Sequence, residues 1–238
     1  MSTATFKLQA LTEGDVKYTD SKAALFEAFN RSVADGDQAM TVLRDEGLYR
    51  HLRFWKSESS FYHFDLITWP GYLTITGDIG CYTFRRIQDM FDFFTGYLNS
   101  DYWSEKLASG GRPSVKVYDE DEFTKWLVQD FWEYSRELSP KQTKEWWQTL
   151  KEYVLDDFTY LGSHHHAISA LDGIRNDPGV PSEHYSEAYE HSWAKYDWHF
   201  EMCLAAIVTG IRTYKHSKTA VTMPYPKPVS AKVGASHE

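Results

Sequence analysis

Cysteine is scarce in this chain: two in 238 residues, Cys81 and Cys203, far apart and in neither metal-type nor redox-type spacing. Two thiols make no disulfide framework, so a reducing compartment is expected and stability must come from a core. A chain of this length buries roughly 70–75% of the surface its unfolded form exposes, so such a core is feasible. Long apolar runs are missing as well. Nowhere do about 18 apolar residues stand together, so no membrane-spanning helix is expected. The best candidate, Cys203 to Ile211, reads as one face of a water-soluble helix. Met1 to Leu11 has no basic start, apolar stretch or small-residue cleavage site, and is not expected to be a signal peptide. The sequence also lacks a nucleophile elbow, a P-loop and a G-x-G-x-x-G run; Gly77-Asp78-Ile79-Gly80 is too short to cradle a phosphate. No cofactor is therefore expected.

Positive charge is in short supply. The formal net charge is −9, unevenly placed. From Asp119 to Asp157 there are eleven Asp and Glu against five Lys and Arg, whereas Ile211 to Glu238 holds five Lys and Arg against one Glu. Such a body repels nucleic acid, so no direct nucleic-acid binding is expected, and it suits a basic protein partner. What the chain has in quantity is aromatic residues: 9 Trp, 16 Tyr and 14 Phe. Most belong in a core, although Tyr and Trp also anchor interfaces.

The periodicity predicts an α+β chain. Thr19 or Asp20 caps a helix to about Val33 with Ala24, Leu25, Phe29 and Val33 as its stripe, and a short helix from Asp37 to Glu46 ends at Gly47. The period then becomes that of strands: Leu48–Trp55, Phe61–Trp69, Tyr72–Thr76 and Cys81–Arg85. The turns are short, which predicts a four-stranded antiparallel β-meander. His63, Asp65, Ile67 and Trp69 share one of its faces and Phe64, Leu66 and Thr68 the other. A helix from Ile87 to Phe94 covers the sheet with Met90, Phe91 and Phe94. After the loop at Gly110 the chain reads as mainly helical, with a possible edge strand at Ser114–Tyr118. Ser139, Pro140 and Gln142 form a capping box. Further helices are expected at Ala167–Ile174, from Ser182, and at Trp198–Tyr214. These readings divide the chain into a sheet-bearing region 1–110, a helical region 111–216 and a flexible basic tail 217–238.

Three constellations carry chemistry. His63 and Asp65, on alternate strand positions with Asp78 in the following turn, suit acid–base work on a small molecule or nucleotide. The plainer reading makes Asp78 a turn former and pairs Asp65 with Arg53 or Arg85 across the sheet. His199 and Cys203 stand at i and i+4 on a helix, and His184 and His191 seven apart on another, so imidazoles from two helices can meet one metal ion. Against this, the spacing matches no metal motif, Cys203 suits a core, and His164, His165 and His166 diverge on a helix; no metal is expected. Lastly, Asp119, Glu120, Asp121 and Glu122 complement a helix N-terminus. The acidity runs on through Asp130, Glu133 and Glu137, as a partner-binding surface for a cationic macromolecule would.

The stretch from His63 to Gly80 (HFDLITWPGYLTITGDIG), followed by Tyr82-Thr83-Phe84-Arg85 and Asp89-Met90-Phe91 with Phe93-Phe94, resembles a family of phage and prophage-encoded proteins. Those carry a block of the form FDLITWPGYL…TGDMG…YVFSR…DMFEFF; here Ile79 stands for the Met and Cys81 for the Thr. The likeness spans residues 50–95 and transfers no catalytic role. It implies a non-structural phage gene product acting in the cytoplasm of the bacterial host, where many accessory proteins block a host defence protein or complex. The expectation is thus an inhibitor acting through an acidic, aromatic-rich surface, with self-association left open and a small-molecule or nucleotide-processing enzyme as the alternative.

Overall fold

The computed structural model describes residues 6–15, 20–34, 38–56, 59–156 and 162–222. Its strands are β1 (Phe6–Lys7), β2 (Ala39–Glu46), β3 (Tyr49–Lys56), β4 (Ser59–Trp69), β5 (Tyr72–Gly77), β6 (Gly80–Arg85), β7 (Lys116–Tyr118) and β8 (Ala194–Tyr196). Its α-helices are α1 (Asp20–Phe29), α2 (Met90–Phe93), α3 (Ser100–Ser104), α4 (Glu120–Tyr134), α5 (Pro140–Leu150), α6 (His164–Ile174) and α7 (Trp198–Thr222). The class is α+β, as the periodicity required. Contacts divide the chain into two compact units. One runs to Gly111 and takes in α7; the other is Arg112–Asp197. The helical region 111–216 expected from the sequence differs from this, since α7 belongs with the sheet. Ser217–Thr222 belongs to α7 rather than to a tail; residues 223–238 lie outside the described residues.

The first unit holds a six-stranded antiparallel sheet in the order β1-β2-β3-β4-β5-β6. The expected meander of four is its β3–β6 part. The fifth strand is the segment expected to be a helix from Asp37 to Glu46. Its residues 39–46 pair with β3 from Ala39↔Trp55 to Glu46↔Tyr49, and Gly47, at φ 65°, turns the hairpin instead of ending a helix. Thr41 and Val42 are β-branched, and the pairing with β3 outweighs the weak local helix signal. The sixth strand, β1, is only two residues long, too short for periodicity to show.

Alternation sets the two faces of this sheet. Leu52, Phe54, Phe64, Leu66, Leu73, Ile75 and Phe84 are buried on one face, with Phe54 and Phe64 stacked 4.6 Å apart. Helix α7 covers them and is buried at Phe200 and from Met202 to Ile211. It lies so close that a Cβ on Gly210 would stand 2.8 Å from Leu66 Cδ1 and 3.1 Å from Phe54 Cζ. Leu25, Phe29 and Val33 of the N-terminal helical segment are buried as predicted, while Ala24 faces solvent. The covering helix expected at Ile87–Phe94 is the shorter α2, capped by Asp89, with Met90, Phe91 and Phe94 buried.

In the second unit, Phe123, Leu127 and Phe131 of α4, Trp146 and Leu150 of α5, and Ala167, Leu171 and Ile174 of α6 share one core with Tyr185 and Trp193. The capping box at Ser139 forms, its Gln142 side chain accepting from the Ser139 backbone N–H. The expected edge strand is β7, which pairs antiparallel with β8. The helix expected from Ser182 does not form. The chain there makes turns, with Glu183 at φ 60°, and one 3-10 turn at Ala188–Glu190. Among the described residues no helix is long and apolar enough to cross a membrane.

Candidate functional site

The face of the six-stranded sheet opposite the one that α7 covers carries Tyr49, His51, Arg53 and Trp55 on β3, and His63, Asp65 and Ile67 on β4, with Tyr49, Arg53 and Trp55 exposed. Two irregularities keep it from being flat. The β2–β3 register shifts between Val42 and Arg44, leaving Leu43 as the extra residue. The β3–β4 register shifts between Phe54 and Lys56, next to Tyr62 at φ 59°. Bulges bend and twist a sheet locally. Between them lies a hollow of about 570 Å³, a usual size for a small-molecule site, lined by Leu43, Arg53, Trp55, His63, Asp65 and Thr76 among others.

Asp65 organises this hollow. Its Oδ1 accepts from Arg53 Nε at 2.9 Å and its Oδ2 from Arg53 Nη2 at 2.9 Å, a two-pronged ion pair, while His51 Nε2 lies 2.7 Å from Oδ2. Burial alone would push the Asp65 carboxyl up. The hydrogen bonds and charge of Arg53 and His51 outweigh it and hold the group below the ordinary carboxylate range. Asp65 is thus an ionised holder of Arg53, a poor proton donor and a weak base. His63 is not its partner: His63 Nδ1 stands 3.0 Å from Asp78 Oδ2. The three residues singled out for acid–base work therefore lie on one face as two separate pairs, Asp65–Arg53 and His63–Asp78. The cross-strand pairing with Arg53 was the plainer reading of Asp65.

A glycine fixes the rim. Gly77 sits at φ 150°, and a Cβ there would lie 2.3 Å from the His63 carbonyl oxygen. That carbonyl also accepts from the Asp78 N–H at 3.0 Å, which ties the turn carrying Asp78 to the strand carrying His63.

The acidic residues of the second unit are scattered in role. Asp119 caps α4, accepting from the Asp121 N–H, and lies 3.3 Å from Lys195 Nζ. Asp130 is nearly buried, 2.6 Å from His184 Nε2. Glu122 pairs with Lys125 at 3.1 Å. Glu120, Asp121, Glu133 and Glu137 are exposed, and among the described residues none of them has an ion-pair partner. The segment thus presents four free carboxylates of the seven expected to form the partner surface. Burial and then the Asp130 charge push the Tyr185 phenol well above its ordinary value.

The histidines named as ligands do not converge. His184 and His191 share no helix face, because the chain between them turns; His184 pairs with Asp130 and His191 stacks on Trp193 at 6.0 Å. His199 is exposed on α7, whereas Cys203 is buried and its Sγ–H donates to the Ile79 carbonyl at 3.4 Å. Both cysteines are free thiols, Cys81 exposed. Among the described residues no group of three or more His, Cys, Asp or Glu is placed to hold a metal ion.

The pairing of His51 with Asp65 and the bulge at Leu43 escaped the sequence reading. A signal for the first was present, since His51 and Arg53 alternate on one strand as Asp65 does on the next. Compared with known proteins, the chain matches no family model, no curated protein and no solved structure.

Proposed function

We propose that this chain is a phage-encoded accessory protein that binds a bacterial host defence protein and blocks it, acting through contact rather than catalysis. The observation that carries this reading is where the charge lies. Residues 112–197 hold nine Lys and Arg against seventeen Asp and Glu, so the second unit accounts for −8 of the net −9. The partner contact we assign takes in Glu120 and Asp121 at the start of α4, Glu133 and Glu137 at and after its end, and the indole of Trp132, which is 60% exposed. Unpaired carboxylates steer a basic partner, and an exposed aromatic ring anchors it once docked. The resemblance to phage and prophage-encoded proteins supplies the setting. The occupied Asp65 carboxylate argues against the enzyme alternative.

The test is plaque formation on hosts that carry defined anti-phage systems, with the protein supplied from a plasmid. The wild type should restore plaquing against at least one system. The quadruple variant Glu120→Lys, Asp121→Lys, Glu133→Lys and Glu137→Lys should not, and the inhibited complex should co-purify with the wild type at low salt and dissociate as salt rises. Equal protection by the charge-reversed protein, or no protection against any system, would remove the proposal.

A further inference from the structure

We infer that the hollow on the open sheet face binds a nucleoside phosphate, with its base against Trp55 and its phosphate on the outer edge of Arg53. This site lies wholly in the first unit and is independent of the acidic contact surface proposed above.

Arg53 is the first ground. Its Nε and Nη2 donate to the two oxygens of Asp65, which locks the guanidinium plane and aims the Nη1 edge away from the carboxylate. An arginine held this way loses little conformational freedom on meeting an anion, and its planar donors match phosphate geometry. It is also accessible, with 47% of its side chain exposed. Its charge is offset by Asp65, so phosphate is recognised by donor geometry more than by bulk attraction.

The second ground is the flat apolar wall beside it. Trp55 is 45% exposed and Leu43 48%. The indole is oriented by its own Nε1–H, which donates to Thr41 Oγ1 at 3.3 Å. A tryptophan ring fixed at the edge of a hollow is a stacking platform for an aromatic base. His63, held by Asp78, flanks the same hollow, and the Thr76 side of the lining offers a hydroxyl to a sugar.

Size and field supply the third ground. The hollow is of the volume that small-molecule ligands occupy. The unit that contains it is nearly neutral, with sixteen Lys and Arg against seventeen Asp and Glu, so an anion meets little of the repulsion that the second unit would exert. A purely apolar ligand would leave the outer Nη1 edge of Arg53 desolvated without a partner, and inorganic phosphate would leave Trp55 and Leu43 unused.

The test is isothermal titration of the full chain with AMP, GMP, CMP and UMP, with adenosine and inorganic phosphate as half-ligands and a short oligo-dT as control. At least one monophosphate should bind saturably with Kd below about 1 mM, and each half-ligand at least tenfold more weakly. Trp55→Ala and Arg53→Lys should each weaken binding tenfold or more; Arg53→Lys keeps the charge beside Asp65, so a thermal melt should show it folded. Tyr189→Ala, an exposed ring in the other unit, should leave binding unchanged. No saturable binding by any monophosphate overturns the inference, as does binding that survives both site variants. Adenosine binding as tightly as AMP would overturn the role of Arg53. Tighter binding of the oligonucleotide than of any monophosphate would mean a strand-tracking surface in place of a single-ligand site.

Discussion

The two units of this chain put charge to opposite uses. In the first, acidic and basic residues nearly balance, and its carboxylates are spent on internal bonds: Asp15 with Arg212, Asp45 with Tyr214 and Lys218, Asp65 with Arg53, Asp89 with Arg50. The Arg50–Asp89 pair shows the pattern, two parallel hydrogen bonds of 2.8 and 2.7 Å with the guanidinium over the Phe91 ring at 4.6 Å. In the second unit almost twice as many acids as bases are present, and many carboxylates point to solvent. Charge that is paired two-pronged at a half-buried position orders side chains and resists salt. Charge left exposed adds little to the fold and acts at a distance on whatever approaches. One chain thus carries a unit built around its ion pairs and a unit that displays its charge.

The largest effects should come from the cores. Trp146→Ala in the second unit and Phe64→Ala in the first each remove a fully buried ring, at a cost of about 3–5 kcal/mol. Hydrogen exchange read by mass spectrometry should show protection lost mainly in the unit that holds the substitution. Equal loss across both would break the division into two units.

Gly77→Ala comes next. Its Cβ would collide with the His63 carbonyl oxygen in a backbone conformation that side chains rarely adopt, so a loss of about 3 kcal/mol is expected in denaturant titration. An unchanged midpoint would show that the β4–β5 hairpin relaxes freely, and the rim of the hollow would then not be fixed.

Acid should separate the units by their electrostatics. Asp15, Asp45, Asp65 and Asp89 are all held below the ordinary carboxylate value. Burial opposes this at all four; at the first three it is the largest single influence and is outweighed by Arg212 with Thr12, by Lys218 with Tyr214, and by Arg53 with His51, while at Asp89 the Arg50 pair is the leading cause. A carboxyl with a lowered folded pKa contributes stability in full above its unfolded value, and that contribution is lost as pH falls through the folded one. The first unit should therefore lose stability from about pH 4 downward, while protonation relieves the self-repulsion of the second. Pepsin cleavage followed by mass spectrometry between pH 4 and 2 should map early cuts to the first unit, and early cuts in the second would refute the contrast.

The smallest effect belongs to the exposed acids. Glu133→Lys with Glu137→Lys should change stability by no more than about 0.5 kcal/mol, read as a shift in the thermal midpoint. A loss larger than that would mean these carboxylates hold the fold, contrary to the role assigned to them.

Local signals were enough for much of this. The alternation of β3–β6, the capping box at Ser139, the stripe Leu25-Phe29-Val33 and the charge bias of residues 119–157 are all properties of near neighbours in the chain. Backbone geometry and side-chain period act over a few residues, so they are legible without the fold. Tertiary pairing decided the rest. Residues 39–46 became a strand because β3 offered a complementary edge, although their own propensity was weak. Asp65 met Arg53 and His51, and His63 met Asp78, because hairpin register brought them within bonding distance. Asp119 and Asp130 were turned inward by Lys195 and His184, from segments far along the chain. Hydrogen bonds, bulges and ion pairs of this kind depend on which strand lies beside which, and only the folded chain settles that.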